Sequence, residues 1–228
     1  MLIDLLVVVI IGLFVWGGFN KGFFLTASSI LILFASVMIG ANVANGNAEK
    51  ASVVFDGILD WVAETATEEA VEKLGVAASN VPSYQLVPII KEAFESLGIR
   101  GAASDYLASQ VRSSMLRQPD ATLYEVISQY FIRAIAWIAL FFAGFAISAL
   151  VLSLIVNFIS TVFKLPVIRQ LDMFGGLGLG LINGIFIMFI AGFALRYIGF
   201  ILPDGLIEST NLLRFFVDKN PFGSVIKL

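Results

Sequence analysis

The chain has 228 residues, 59% of them hydrophobic and 14% charged, with a mean hydropathy of +0.94 and a formal net charge of −3. Soluble domains carry roughly 45–50% apolar and about 25% charged residues, so composition excludes that class, and a pI near 5.0 without a basic stripe excludes a nucleic-acid partner. With neither cysteine nor histidine, there is no material for disulfides, thiolate zinc sites or imidazole bases.

The charges leave four long gaps. A bilayer core about 30 Å thick needs roughly 20 apolar helical residues. The first gap runs from Leu5 to Asn20, extended by Met1–Ile3 beyond Asp4, and the second from Gly22 to Ala48 with an apolar body over Phe23–Ala44. Both runs are continuously apolar, whereas membrane barrel strands alternate over about ten residues, so the pattern predicts helices. The first span holds no Lys or Arg before its apolar run and no small-x-small site after it, so it is read as a retained span rather than a cleaved signal. The connection through Gly17, Gly18, Phe19, Asn20, Lys21 and Gly22 is so short that spans one and two are expected to form an antiparallel hairpin.

Residues 46–130 differ in kind, with 6 Lys/Arg against 12 Asp/Glu. Val54, Ile58, Leu59 and Val62, then Ala66, Ala70, Val71 and Leu74, share one helical face before a stop at Gly75. A second helix is expected from about Pro88 to Leu97, stopped by Gly98, and a third over Ser104–Arg117. After Pro119, Thr122 and Glu125 have capping-box spacing, so a helix starts there and leads into span three. From Thr122 to Phe163 it would measure about 63 Å unbroken. The segment reads as an acidic, helical extramembrane domain.

Span three covers Ala134–Phe163. Span four begins at Met173 and continues past Arg196 to Leu202, and an amphipathic tail follows over Leu206–Phe222. The expected organisation is an all-α membrane protein with about four transmembrane helices in two hairpins. Its parts are residues 1–45 (spans one and two), 46–130 (extramembrane), 131–202 (spans three and four) and 203–228 (tail). Lys21, Lys164 and Arg169 mark the connections on one side of the membrane, which the positive-inside tendency makes cytoplasmic. Both termini and residues 46–130 then face outward, although Arg133, Arg196, Arg214 and Lys219 flank that opposite side. Trp137, Tyr130 and Tyr197 are expected in an outer aromatic belt and Trp16 in an inner one.

Several of these features together resemble the colicin V production protein family (CvpA). They are Asp4 just inside the N-terminus, the turn Lys21-Gly22-Phe23, the end of span three at Val156-Asn157-Phe158, a short polar loop closed by Asp172, and the glycine-spaced opening of span four at Gly175, Gly176, Gly180 and Gly184. The resemblance covers about residues 1–45 and 130–222. Residues 46–130 are longer than the corresponding loop of the better-known members. It implies a bacterial cytoplasmic (inner) membrane protein with an accessory or scaffold role in bacteriocin production or export and in envelope maintenance. It supplies no molecular mechanism.

Gly176, Gly180 and Gly184 recur every four residues and line one helix face, which lets a second backbone approach closely. That backbone belongs either to spans one to three or to another copy of the chain, making a homo-oligomer. Gly18 with Gly22, and Gly144 with Ser148, are complementary notches. Asp4, Arg133 and Arg196 fall near the outer boundary, where the arginines either snorkel to the headgroups or pair with Asp4. Asn157, Asn183, Ser153 and Ser160 are expected to hydrogen-bond between helices, with a substrate path as the alternative. No nucleophile–base set, phosphate loop or metal-ligand spacing is present, so neither catalysis nor a cofactor is expected. Beside the lipid bilayer, the partners expected are further copies of the chain and an envelope or export protein not identified by the sequence. Three roles stay open: a scaffold or accessory factor, an oligomeric small transporter or channel, and a partner-binding module acting through residues 46–130.

Overall fold

The computed structural model describes residues 2–73, 86–99, 102–118, 121–162, 169–197 and 209–221. Among them there are seven helices and no strand: α1 (Leu2–Ser52), α2 (Asp56–Lys73), α3 (Leu86–Ser96), α4 (Ala102–Arg117), α5 (Leu123–Val162), α6 (Arg169–Tyr197) and α7 (Asn211–Asp218). Three helices are long and apolar enough to cross a membrane, over Ile3–Ser52, Leu123–Ile159 and Asp172–Leu195.

The sequence predicts four spans, and the first two both fall within α1. That helix is interrupted at Gly22, whose φ of 81° and ψ of 175° are not helical. The hydroxyl of Thr26 donates to the Gly22 carbonyl at 2.7 Å and lies 3.4 Å from the Gly18 carbonyl. Eight residues of unbroken helix would separate positions 18 and 26 by about 12 Å. The helix axis therefore breaks sharply at Gly22.

The chain divides into two compact units. The first comprises Met1–Ala44, Leu140–Phe193 and Gly205–Val225, the second Asn45–Ala139, Ala194–Asp204 and Ile226–Leu228. In the first unit, Gly40 of α1 and Gly144 of α5 face each other, so closely that a Cβ on Gly40 would lie 2.8 Å from the Phe141 carbonyl. Phe141 also packs edge-on against Phe193 of α6, with ring centroids 5.5 Å apart. The amphipathic α7 buries Leu213, Phe216 and Val217. Phe216 packs edge-on against Phe189 at 5.0 Å, and the Asn220 amide donates to the Phe189 carbonyl at 2.6 Å. Outward faces of this unit carry Leu5, Leu6, Val9, Leu13 and Trp16 on α1 and Leu150, Leu154 and Phe158 on α5. So large an apolar exterior suits lipid rather than water.

The second unit is built from α2, α3 and α4 with the flanking parts of α1 and α5. It takes in Ala134–Ala139, which the sequence pattern assigns to span three. Helix α3 starts two residues earlier than expected, with Pro88 in its first turn, where the missing N–H costs nothing. It ends at Gly98, whose φ of 80° lets the Ile99 N–H return to the Phe94 carbonyl at 2.8 Å. Phe94, Ile89 and Ile90 of α3 and Leu107 and Val111 of α4 are fully buried, and α3 packs against both α2 and α4. Lys73 bridges α2 to Glu92 at 3.1 Å, and Lys91 bridges α3 to Asp105 at 2.8 Å. The capping box that opens α5 has both bonds: the Thr122 N–H donates to Glu125 Oε2 at 3.0 Å, and the Glu125 N–H to Thr122 Oγ1 at 3.3 Å.

The aromatic belt needs one correction. Trp137 is completely buried, and its indole N–H donates to Asn45 Oδ1 at 2.7 Å. A buried indole needs an acceptor, and Asn45 supplies it within the protein. Trp16 is exposed, Tyr130 shares a hydrogen bond with Ser114 at 2.8 Å, and the Tyr197 side chain lies outside the described residues.

Candidate functional site

The closest helix contacts in the first unit run along the glycines of α6. A Cβ on Gly176 would meet the Gly18 carbonyl oxygen and lie 3.0 Å from Gly22 Cα. One on Gly180 would meet the Phe14 carbonyl at 2.5 Å and Val15 Cα at 3.0 Å, and one on Gly184 would come within 3.2 Å of Ile11 Cα. The three partners retreat along α1 as the glycines advance along α6, so the two segments pack antiparallel. Gly18 presses back, with its Cβ position 2.8 Å from Gly180 Cα. The face formed by Gly176, Gly180 and Gly184 is thus occupied by the first part of α1, at backbone-to-backbone range.

This seam ends at the break in α1. Where a helix restarts, its first N–H groups lack intrahelical acceptors. Asp172, in the first turn of α6, accepts from the Phe23 N–H at 2.7 Å, and its charge matches the positive end of the restarting helix. Gly22 has a backbone conformation that is essentially glycine-only, and a Cβ there would collide with the Asp172 carboxylate. Sequence reading singles out the Lys21-Gly22-Phe23 turn and Asp172 separately, but not their bond. The available signal was an acidic residue opening one apolar helix and a glycine opening another.

A second acid acts in the same way. Asp4 Oδ1 accepts from the Leu212 N–H at 2.9 Å, at the start of α7, where the N-cap residue Thr210 makes no side-chain capping bond. Of the candidate boundary residues, Asp4 on α1 is therefore bonded to the start of α7. Arg133 has its Nη2 3.6 Å from a Glu49 carboxylate oxygen, and the Arg196 side chain lies outside the described residues. Of the basic residues expected on the inner side, Lys21 is exposed beside the break. Lys164 and the Arg169 side chain lie outside the described residues, as does the side chain of Ser160.

Beside the seam lies a cavity of about 310 Å³. Leu13 and Phe14 from before the break line it together with Ile32 and Leu33 from after it. Its polar lining comprises Lys21, Thr26, Ser29, Ser153 and Asn183. The hydroxyls of Thr26 and Ser29 donate to carbonyls four residues back, the usual way such residues satisfy themselves in an apolar helix. Asn183 is buried, and its Oδ1 has no hydrogen-bond partner among the described residues. Chemically, the arrangement holds helices at backbone contact and leaves one polar-tipped apolar cavity between them.

Three helices able to span a bilayer and an apolar exterior define the class as membrane protein. No family model, curated protein or solved structure matches the chain.

Proposed function

We propose that this chain is a four-span scaffold or accessory factor of the bacterial cytoplasmic membrane, serving bacteriocin production or export and envelope maintenance as its resemblance to colicin V production proteins implies. Four crossings require α1 to cross twice, turning at Gly22. Support comes from Leu13 and Leu33 lining one cavity, since unbroken helix would separate them by about 30 Å. The N-out, C-out orientation, with Lys21, Lys164 and Arg169 on the cytoplasmic side, follows from the positive-inside tendency. Further copies of the chain or an envelope protein would then dock on surfaces away from the seam.

The observation that carries the scaffold reading is the use made of the polar groups in the apolar helices. Asp172 caps the restarted helix, while Thr26, Ser28, Ser29 and Ser148 bond carbonyls of their own helices. These groups serve architecture. The transporter alternative rests on a single feature, Asn183 in its cavity.

Complementation of a deletion strain separates the two. A scaffold tolerates Asn183→Ala and Lys21→Gln, with bacteriocin output and envelope integrity near the parent, whereas a solute path through the cavity loses function in both at normal protein levels. Topology is tested in the same strain, because the chain has no native cysteine. Single cysteines replacing Ser79 and Ser209 should react with an impermeant maleimide in intact cells, and one replacing Gln170 only after permeabilisation. The reverse pattern inverts the orientation.

A further inference from the structure

A different pocket, in the second unit, points to a ligand. It encloses about 300 Å³ and is lined by Ser114, Arg117, Gln118, Gln129, Tyr130 and Arg133. Every lining residue is polar and two are cationic. The end of α4 and the first turns of α5 form its walls, tied together by the 2.8 Å Ser114–Tyr130 hydroxyl bond.

The donors of this pocket are poorly used within the protein. Arg133 Nε is buried and has no hydrogen-bond partner among the described residues. The same guanidinium reaches Glu49 only at 3.6 Å, and that carboxylate is 82% exposed, so the pair is a loose one. Arg117 uses its Nε on the Ser113 carbonyl at 3.2 Å, which leaves its terminal nitrogens available. Gln118 and Gln129 add two side-chain amides to the lining. An unmet buried guanidinium donor is costly, and a second guanidinium on the same pocket adds like-charge repulsion. The negative end of the α4 dipole offsets only about half a charge.

We propose that this pocket binds a phosphate-type oxyanion, clamped between Arg117 and Arg133. Guanidinium forks match the oxygens of phosphate, and the glutamine amides and hydroxyls add neutral donors around the remaining oxygens. The volume exceeds that of the ion, leaving room for an ester substituent. Position suggests where such a group comes from. Arg133 is the last charge before the apolar run that starts at Ala134, and an arginine at the end of such a run reaches the headgroup level. A phospholipid headgroup and free phosphate share the chemistry, and the test must tell them apart.

Thermal unfolding of the full chain provides that test, in detergent micelles with inorganic phosphate against chloride at matched ionic strength, and in nanodiscs of phosphatidylglycerol against phosphatidylcholine. The expected result is a higher Tm with phosphate, with phosphatidylglycerol, or with both. Arg117→Gln and Arg133→Gln should each weaken the apparent affinity about tenfold or more, while Arg214→Gln, on α7, responds like the parent. Stabilisation by phosphatidylglycerol alone assigns the site to a headgroup; stabilisation by phosphate in micelles assigns it to a soluble anion. If Arg133→Gln does not fold, the exposed Arg117→Gln decides alone. The proposal is overturned if neither probe exceeds its control, or if the folded arginine variants respond as the parent does.

Discussion

The two units of this protein hold their helices together by opposite means. In the first, contact is made by leaving atoms out: Gly18, Gly176 and Gly180 bring backbones to a range where a Cβ has no room. In the second, contact is made by filling space, with Phe94, Ile89, Ile90, Leu107 and Val111 fully buried where α3 packs on α2 and α4. The surroundings explain the difference. Apolar helices in lipid gain little by burying more apolar surface, so association relies on close packing and on satisfied polar groups. Burying apolar side chains away from water is what the hydrophobic effect rewards, and residues 46–130, read as extramembrane from their net charge of −6, are expected to draw on it. Adding atoms should therefore damage the first unit, and removing them should damage the second.

Gly22→Ala is the severest case of addition. The backbone at φ 81° strains any L side chain, and the new Cβ lands on the Asp172 carboxylate. Backbone strain costs about 1–3 kcal/mol and overpacking a similar further amount, so the variant should fail to accumulate in membranes, as scored by immunoblot. Gly98 has nearly the same φ, 80°, but ends a helix in the second unit. Gly98→Ala should cost only about 1–2 kcal/mol and yield folded protein. Equal losses at the two glycines would remove the distinction.

Phe94→Ala is the matching removal, expected to cost about 3–5 kcal/mol because a fully buried ring leaves a cavity. Limited proteolysis should then cut within residues 46–130 well before it cuts the apolar helices. Simultaneous cleavage everywhere would mean that the two units unfold together.

The seam itself is graded by a series in α6. Gly180→Leu and Gly184→Leu should each cost about 1–3 kcal/mol, with Gly184→Ala milder, since its Cβ would sit 3.2 Å from its nearest neighbours. Gly178 has nothing within 4 Å of its Cβ position. Gly178→Ala should leave the stability in detergent unchanged or raise it through the better helix propensity of alanine, by up to about 1 kcal/mol, read as an unchanged or higher Tm. Ile182→Phe, at a half-exposed position of the same helix, is the bulk control. Loss of oligomer with intact monomer in the Gly180 and Gly184 variants would assign the face to self-association instead.

The smallest effect concerns charge. Glu69 and Glu92 raise the pKa of Lys73, and Asp105 raises that of Lys91, above the ordinary 10.5. A raised lysine pKa contributes stability that is complete below the unfolded-state value and lost as pH rises through the folded one. Unfolding of the second unit, followed by circular dichroism, should therefore be flat in these terms around neutrality and weaken only above about pH 10. High salt should reduce the contribution, because both lysines are in solvent. A marked dependence between pH 6 and 8 would have to come from groups other than these lysines.

Much of this architecture was legible in the residues themselves. Charge-free runs marked the apolar helices, because in lipid a backbone can satisfy its polar groups only within its own helix. The Thr122/Glu125 spacing marked the start of α5 and Gly98 the end of α3, because caps are local bonds between residues three to six apart in sequence. The four-residue glycine spacing marked a close-packing face but not the surface packed on it, since self-association and internal packing require the same residues. Tertiary structure decided what lies about 90 to 210 residues away: the first part of α1 on the Gly176–Gly184 face, Asp172 on Phe23, Asp4 on Leu212, and Trp137 turned inward to Asn45. A carboxylate at a helix end has the same sequence signature whether it snorkels, pairs with arginine or caps a distant helix. Only the positions of the free N–H groups around it in space select among the three.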